Sequence, residues 1–326
     1  MRKHILFFIA MFCQLMTFAV ETEFHHVNLM FGISMRKVTS LCKDDNGYVY
    51  GASKMGVVRV TDGDYRIYSL PYTSSVISVR LVYANSQIYA LSNNGQIFRY
   101  DRLYDRFEQF MDLHDYIDDK HLAVYKVITG PDHSLWLATS ECVYQIKVQI
   151  LTLVTEKNVR VWSLGLLDAH TLIYATNRTI NTLNLQSMKS EIISQHSVDM
   201  EITALHIDST YKKVWIGTTS QGLYYLDLNQ PFPTSLSRLS EFPTQPILAI
   251  EENIDGTLLL GIDGNGIWEM RKEDNHILYV YKEEVNNPVS LKGNGVYDIL
   301  CDENGRVWVA TYSGGISFFE QKEQPD

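Results

Sequence analysis

Val307-Trp308-Val309-Ala310-Thr311, followed by Ser313-Gly314-Gly315 and Ile316-Ser317-Phe318-Phe319, is the stretch from which the rest of the chain can be read. Ahead of it stand Val296-Tyr297-Asp298-Ile299-Leu300 and Asp302-Glu303-Asn304-Gly305. Three apolar runs with two tight turns between them predict strand, turn, strand, turn, strand. Asp302 can accept from the backbone two residues on, and Asn304-Gly305 supplies the positive φ a short hairpin needs. In the central run Trp308 and Ala310 fall on one face, Val307 and Val309 on the other. A sheet with one wet face would carry polar residues at alternate positions. This strand is therefore expected to be covered on both sides.

The same phrase returns as Val49-Tyr50-Gly51-Ala52-Ser53, Ile88-Tyr89-Ala90-Leu91-Ser92, Leu135-Trp136-Leu137-Ala138-Thr139, Ile173-Tyr174-Ala175-Thr176-Asn177, Val214-Trp215-Ile216-Gly217-Thr218 and Leu258-Leu259-Leu260-Gly261-Ile262. Its bulky column, Tyr50, Tyr89, Trp136, Tyr174, Trp215, Leu259 and Trp308, repeats every 38 to 49 residues. That is the period of a four-stranded propeller blade, about 40–50 residues. The reading is all-β: a seven-bladed β-propeller of four-stranded antiparallel blades. Bulky beside small on one face and aliphatic on the other is what stacked twisted sheets need to interlock, so the bulky column is core.

Outer strands are expected at Tyr65–Tyr68, Phe107–Phe110 and Ile277–Tyr281. The seventh copy has none, because only polar residues follow Phe319. A spare apolar segment, Phe24-His25-His26-Val27, precedes the first blade. It is expected to close the ring as the last blade's outer strand and remove an open edge.

Arg2, Lys3, an apolar run from Ile5 to about Phe18, and Thr17-Phe18-Ala19 read as an export signal over residues 1–19. Residues 20–326 are then the propeller, expected in the periplasm, with membrane contact only through an uncleaved signal or a partner. Cys42 and Cys301 belong to neighbouring blades of a closed ring but to opposite strand parities, so free, buried cysteines are expected, Cys142 included. Acids outnumber bases 38 to 28, for a formal net charge of −10. Without a basic stripe, nucleic acid and anionic membrane are excluded as partners.

Searching for chemistry finds no Cys-x-x-Cys, His-Glu-x-x-His or Gly-x-Ser-x-Gly. His25 and His26 are adjacent on a strand and point to opposite faces, which disfavours a shared metal. Asp112 to His121 is rich in acids and histidines but lacks calcium-loop spacing, and reads as a solvated loop. No cofactor, metal or catalytic residue is expected. Loops on a rigid scaffold usually carry function. The candidate ligand residues are therefore those of the turns between second and third strands: Lys54, Asn93, Asn94, Arg178, Gln221, Asp263, Asn265 and Tyr312. Amides, charges and an aromatic ring suit a hydroxyl-rich ligand.

The run Asn286-Asn287-Pro288-Val289-Ser290-Leu291-Lys292-Gly293-Asn294-Gly295-Val296 resembles the blade connection of the periplasmic propeller region in bacterial hybrid two-component regulators. Phe24 through Gly32-Ile33-Ser34 is similar to that family's opening. The resemblance spans the presumed mature chain, most strongly in repeats five to seven and one. It implies an extracytoplasmic sensing propeller, an oligosaccharide ligand, and signalling through further sensor domains or a second propeller. These 326 residues hold no kinase histidine box or output domain, so partner domains would have to carry the signal. A propeller-built polysaccharide lyase or glycosidase and a structural envelope scaffold are the alternatives.

Overall fold

The computed structural model describes residues 22–321; the leader read at 1–19 lies outside them. Seven antiparallel sheets of four strands form the ring, each labelled a to d from the axis outward. Blade 1 is Ser40–Lys43, Val49–Ser53, Gly56–Val60 and Tyr65–Tyr68; blade 2 is Val79–Ala84, Gln87–Ser92, Gln96–Asp101 and Arg106–Asp112. Blade 3 is Val124–Thr129, Leu135–Thr139, Val143–Lys147 and Ile150–Leu153; blade 4 is Ser163–Leu166, Thr171–Ala175, Thr179–Asn184 and Ser190–Gln195. Blade 5 is Ile202–Asp208, Lys213–Thr218, Leu223–Asp227 and Ser237–Leu239; blade 6 is Ile247–Glu252, Leu258–Ile262, Gly266–Met270 and Ile277–Tyr281. Blade 7 takes Val296–Cys301, Arg306–Thr311 and Gly315–Glu320 from the end of the chain and His25–His26 from its beginning.

Seven apolar cores fill the seven seams between blades. Trp215 packs toward blade 6 while Val214 and Ile216 pack toward blade 4. Trp308 and Ala310 likewise face blade 1, and Val307 and Val309 face blade 6. The small residue in strand b has a steric cause. A Cβ on Gly217 would stand 2.7 Å from Cγ2 of Ile247, the first residue of the next blade, and one on Gly261 the same distance from Cγ1 of Val296. Blade 4 departs from the expected column: Ile173 and Ala175 pack toward blade 5, and Tyr174 faces blade 3. There Ala175 takes the place of Ala138 and Gly217 in the register, so alignment on the aromatic residue is one position out.

The closing strand is shorter than its apolar run, because Val27 already begins a one-turn helix, Val27–Phe31. His25 pairs with Phe318 and His26 with Ser317. His26 Nδ1 lies 2.9 Å from Ser317 Oγ and Nε2 3.1 Å from the Pro288 carbonyl. Burial lowers the pKa of this ring, and a neutral imidazole donating from Nε2 satisfies both contacts. Phe24 N–H reaches the Val289 carbonyl at 2.8 Å. Asn28 fixes the join, accepting from Ile316 N–H at 2.9 Å and donating to the Met35 carbonyl at 2.8 Å.

Among the described residues the three cysteines are free; Cys42 and Cys142 are buried, whereas Cys301 is only half-buried. Cys42 belongs to the seam between blades 1 and 2 and Cys301 lies against that between blades 6 and 7. Burial raises all three thiols, Cys142 to about 12, which leaves them unreactive as nucleophiles. The loop from Asp112 holds a short 3₁₀ turn, Leu113–Asp115, and buries Leu113 and Ile117.

Candidate functional site at the channel mouth

Strand a lines the axis of the ring, and its start carries one extra residue in most blades. In blades 3, 5, 6 and 7 the a–b register shifts at Tyr125, Thr203, Leu248 and Tyr297. In blades 1 and 4 the N–H groups of Thr39 and Trp162 bond the carbonyls of Ala52 and Ala175, whose register partners are the following residues, Ser40 and Ser163. An extra residue in one strand re-aims the local side chain. All six of these side chains line one cavity of about 360 Å³ at the mouth of the channel. Blade 2 has no such shift, and it contributes Ile77, Ser78 and Arg80. Lys37, Lys54 and Glu201 complete the polar part of the wall.

Aromatic rings dominate two sides of the mouth. Tyr125 and Trp162 meet with centroids 4.6 Å apart, and Trp162 Nε1 donates to Asn177 Oδ1 at 2.7 Å. The indole plane is thus fixed from behind. Tyr297 lies 5.9 Å from Tyr312, over which Lys37 Nζ sits at 4.6 Å. Desolvation raises the phenol pKa of Tyr125 and of Tyr297; Glu201 adds to the first, Asp263 to the second. Both phenols stay protonated at neutral pH and can donate.

Arg80, on the cavity wall, also shares a space deeper in the channel with ionisable groups from three other blades, Lys126, Glu251 and Asp298. The Asp298 carboxylate accepts the N–H groups of Leu41 at 2.7 Å and Ile299 at 2.9 Å. Desolvation and the neighbouring Asp298 push the Glu251 carboxyl up to about 7, against the pull of Lys126. Arg80 Nε is buried without a hydrogen-bond partner.

Of the residues expected from the turns, Lys54 lines the cavity, and Tyr312 stands beside it against Tyr297 and Lys37. Asn93 Oδ1 accepts from Ile77 and Ser78 N–H, so it shapes the wall from outside. Asn94 is tied to Ser74 and the Ser75 carbonyl. Arg178 pairs with Asp199 at 2.7 Å, and Gln221 donates to the Asp199 carbonyl. Asn265 takes Lys282 at 3.3 Å, and Asp263 faces Gly295. The turn chemistry does not single out Thr39, Arg80, Tyr125, Trp162, Thr203 and Tyr297, which stand at the start of strand a. Their signal is a fixed β-branched residue followed by a variable one, as in Val124-Tyr125, Val161-Trp162, Ile202-Thr203 and Val296-Tyr297.

One other cluster, His206, Asp208 and Glu252, brings ligand-type atoms within 4.8 Å of one another. Its cation position is filled by the buried Lys272 ammonium, 2.5 Å from Asp208 and 2.7 Å from Glu252.

The model of the family described as "Two component regulator propeller" matches residues 290–313, from the connection into blade 7 through its strand b to the turn that follows. No curated protein sequence matches the chain. Among solved structures, the chain is similar to the extracellular domain of a putative hybrid two-component system from B. thetaiotaomicron at 20% identity, covering 93% of this chain and 40% of that one, TM-score 0.75. A second such domain from the same organism gives 16% identity, 92% and 42% coverage and TM-score 0.71. Virginiamycin B lyase from Staphylococcus aureus gives 13% identity, 93% and 99% coverage and TM-score 0.71. The chain thus spans about two fifths of the two extracellular domains. Among the described residues no helix is long and apolar enough to cross a membrane.

Proposed function

We propose that this chain is an extracytoplasmic binding propeller of a sensor assembly, and that it takes the end of an oligosaccharide in the channel mouth. The observation that carries this is the wall of the cavity: Tyr125, Trp162 and Tyr297 bring aromatic rings to it, while Thr203, Ser78 and Lys54 bring polar groups beside them. Flat apolar faces with a few convergent hydrogen-bonding groups suit sugar rings, and about 360 Å³ is the low end of the range for small-ligand sites. Binding would be noncovalent and would act by shifting the balance between two arrangements of the ring and its partner domains. Export through residues 1–19 to the periplasm, and docking with further sensor domains or a second propeller, belong to the same proposal. The similarity to extracellular domains of hybrid two-component systems supports it.

Calorimetry and tryptophan fluorescence against a panel of oligosaccharides test the reading. Wild-type protein should bind at least one, and Trp162→Ala should weaken that binding by about tenfold or more, as loss of a stacking face does. If no sugar binds the folded chain, saccharide recognition by this propeller fails.

A propeller-built lyase or glycosidase is the second reading, and one observation favours it: Glu251, its carboxyl near 7, beside Asp298 in the channel. Proton transfer at neutral pH wants such a group. Yet Glu251 is not part of the mouth cavity, and Asp298 is committed to two backbone N–H groups. Release of new chain ends from a polysaccharide, lost in Glu251→Gln, would establish catalysis.

A further inference from the structure

The mouth has a charge that the rest of the chain does not. Acids outnumber bases by 38 to 28 over the whole sequence, yet the cavity is lined by Lys37, Lys54 and Arg80 against the single acid Glu201. The cations come from the start of blade 1, its second turn and blade 2, and Glu201 from the start of blade 5.

These cations are also uncommitted. Some basic side chains elsewhere rest on carboxylates, as in Lys43 with Glu303, Arg66 with Asp105, Lys147 with Asp132 and Arg306 with Glu320. Among the described residues none of Lys37, Lys54 and Arg80 has an acidic partner within ion-pair distance. Lys37 Nζ lies over the Tyr312 ring, and Arg80 Nε is buried with no acceptor. Asp298, which shares the channel with Arg80, already accepts from Leu41 and Ile299. A desolvated guanidinium edge without an acceptor is costly unless a ligand supplies one.

We infer that the saccharide taken at the mouth is an acidic one, its carboxylate or sulfate seated among Lys37, Lys54 and Arg80 and a sugar ring against Tyr125 and Trp162. This rests on the saccharide reading of the cavity and adds the charge class. An anion supplies the acceptor that Arg80 lacks, through charge-assisted hydrogen bonds about twice as strong as neutral ones. Arg favours the planar carboxylate fork, while lysine ammoniums act as point charges on either group.

The test uses matched pairs on the whole chain: trigalacturonic acid with its full methyl ester, and a sulfated galacto-oligosaccharide with its desulfated form. The expected result is that the anionic member of at least one pair binds about tenfold or more tighter than its neutral partner. The pair that responds distinguishes carboxylate from sulfate. The advantage should shrink in about 0.5 M salt and fall severalfold in Lys54→Gln, an exposed position whose loss leaves the fold intact. Arg80→Gln, checked for native circular dichroism, should remove most of it. If sugars bind but both pairs bind alike, the charge inference is overturned and the saccharide reading stands. If citrate or inorganic sulfate binds as tightly as the sugar acids, or if no sugar binds at all, both are overturned.

Discussion

The Asp298 carboxylate, on the innermost strand of blade 7, accepts the Leu41 N–H of blade 1 at 2.7 Å, across the seam where the last blade meets the first. A second bond from its neighbour's N–H, Ile299, occupies the other oxygen. Asp298→Ala strands both donors inside the ring and is expected to cost about 2–3 kcal/mol. Asp298→Asn keeps an acceptor and should cost less than half as much. Urea unfolding of the two variants measures the difference, and equal losses would mean the carboxylate does not clamp the seam.

Glu251 makes the stability of the ring depend on pH. Its carboxyl titrates near 7 when folded against an ordinary 4.5, so the folded state holds the proton more tightly. Stability contributed by this group is therefore lost as pH rises from about 4.5 to about 7. Glu251→Gln removes the penalty. The variant should match wild type near pH 4 and exceed it by about 1–3 kcal/mol above pH 7.5. A difference independent of pH over that window would refute the assignment.

Lys272 is the buried counter-ion of the buried Asp208, and it also meets the partly exposed Glu252 beside His206. Its removal in Lys272→Ala leaves uncompensated charge and should destabilise the protein by about 3–5 kcal/mol. It also vacates the position between three metal-ligand side chains. Thermal melts with zinc should then recover part of the loss in the variant and leave wild type unmoved. No response in the variant would mean that the three groups do not converge when the ammonium is gone.

The join at blade 7 depends on Asn28. A Cβ on Gly315 would fall 2.2 Å from the Asn28 amide, and Gly315 has φ +71°, so Gly315→Ala meets both a clash and a strained backbone. Asn28→Ala loses bonds to Ile316 and Met35 and should cost about 1–3 kcal/mol. Deleting residues through Val27 exposes the edge of Gly315–Glu320, and light scattering should then report aggregation. A truncated chain that stays monomeric and melts as wild type would contradict the closing role of His25–His26.

Ile216 and Tyr125 illustrate the two kinds of information in this chain. Trp215, Ile216 and Gly217 are legible because a strand covered on both faces writes its packing into a two-residue alternation. Seven repeats of that alternation determine the seven blades, and the missing outer strand of the seventh copy points to Phe24-His25-His26-Val27 as its closure. Alignment on aromatic residues misplaces Tyr174 because register is set by the small residue that admits the next blade, here Ala175.

The candidate site is legible only in part. Turn chemistry draws attention to Lys54 and Tyr312, but also to Asn93, Asn94 and Arg178, whose polar groups the structure engages within the loops themselves. Tyr125, Trp162, Thr203 and Tyr297 reach the mouth because one extra residue at the start of strand a turns each side chain out of the alternation, and a periodic pattern carries no mark of a bulge. Likewise Arg80, Lys126, Glu251 and Asp298 come from four blades and meet only because the ring closes. The sequence by itself determined the blades and their order, since local alternation and turn residues specify them. Convergence on the axis was decided by tertiary structure alone, because it joins residues with no periodic relation to one another.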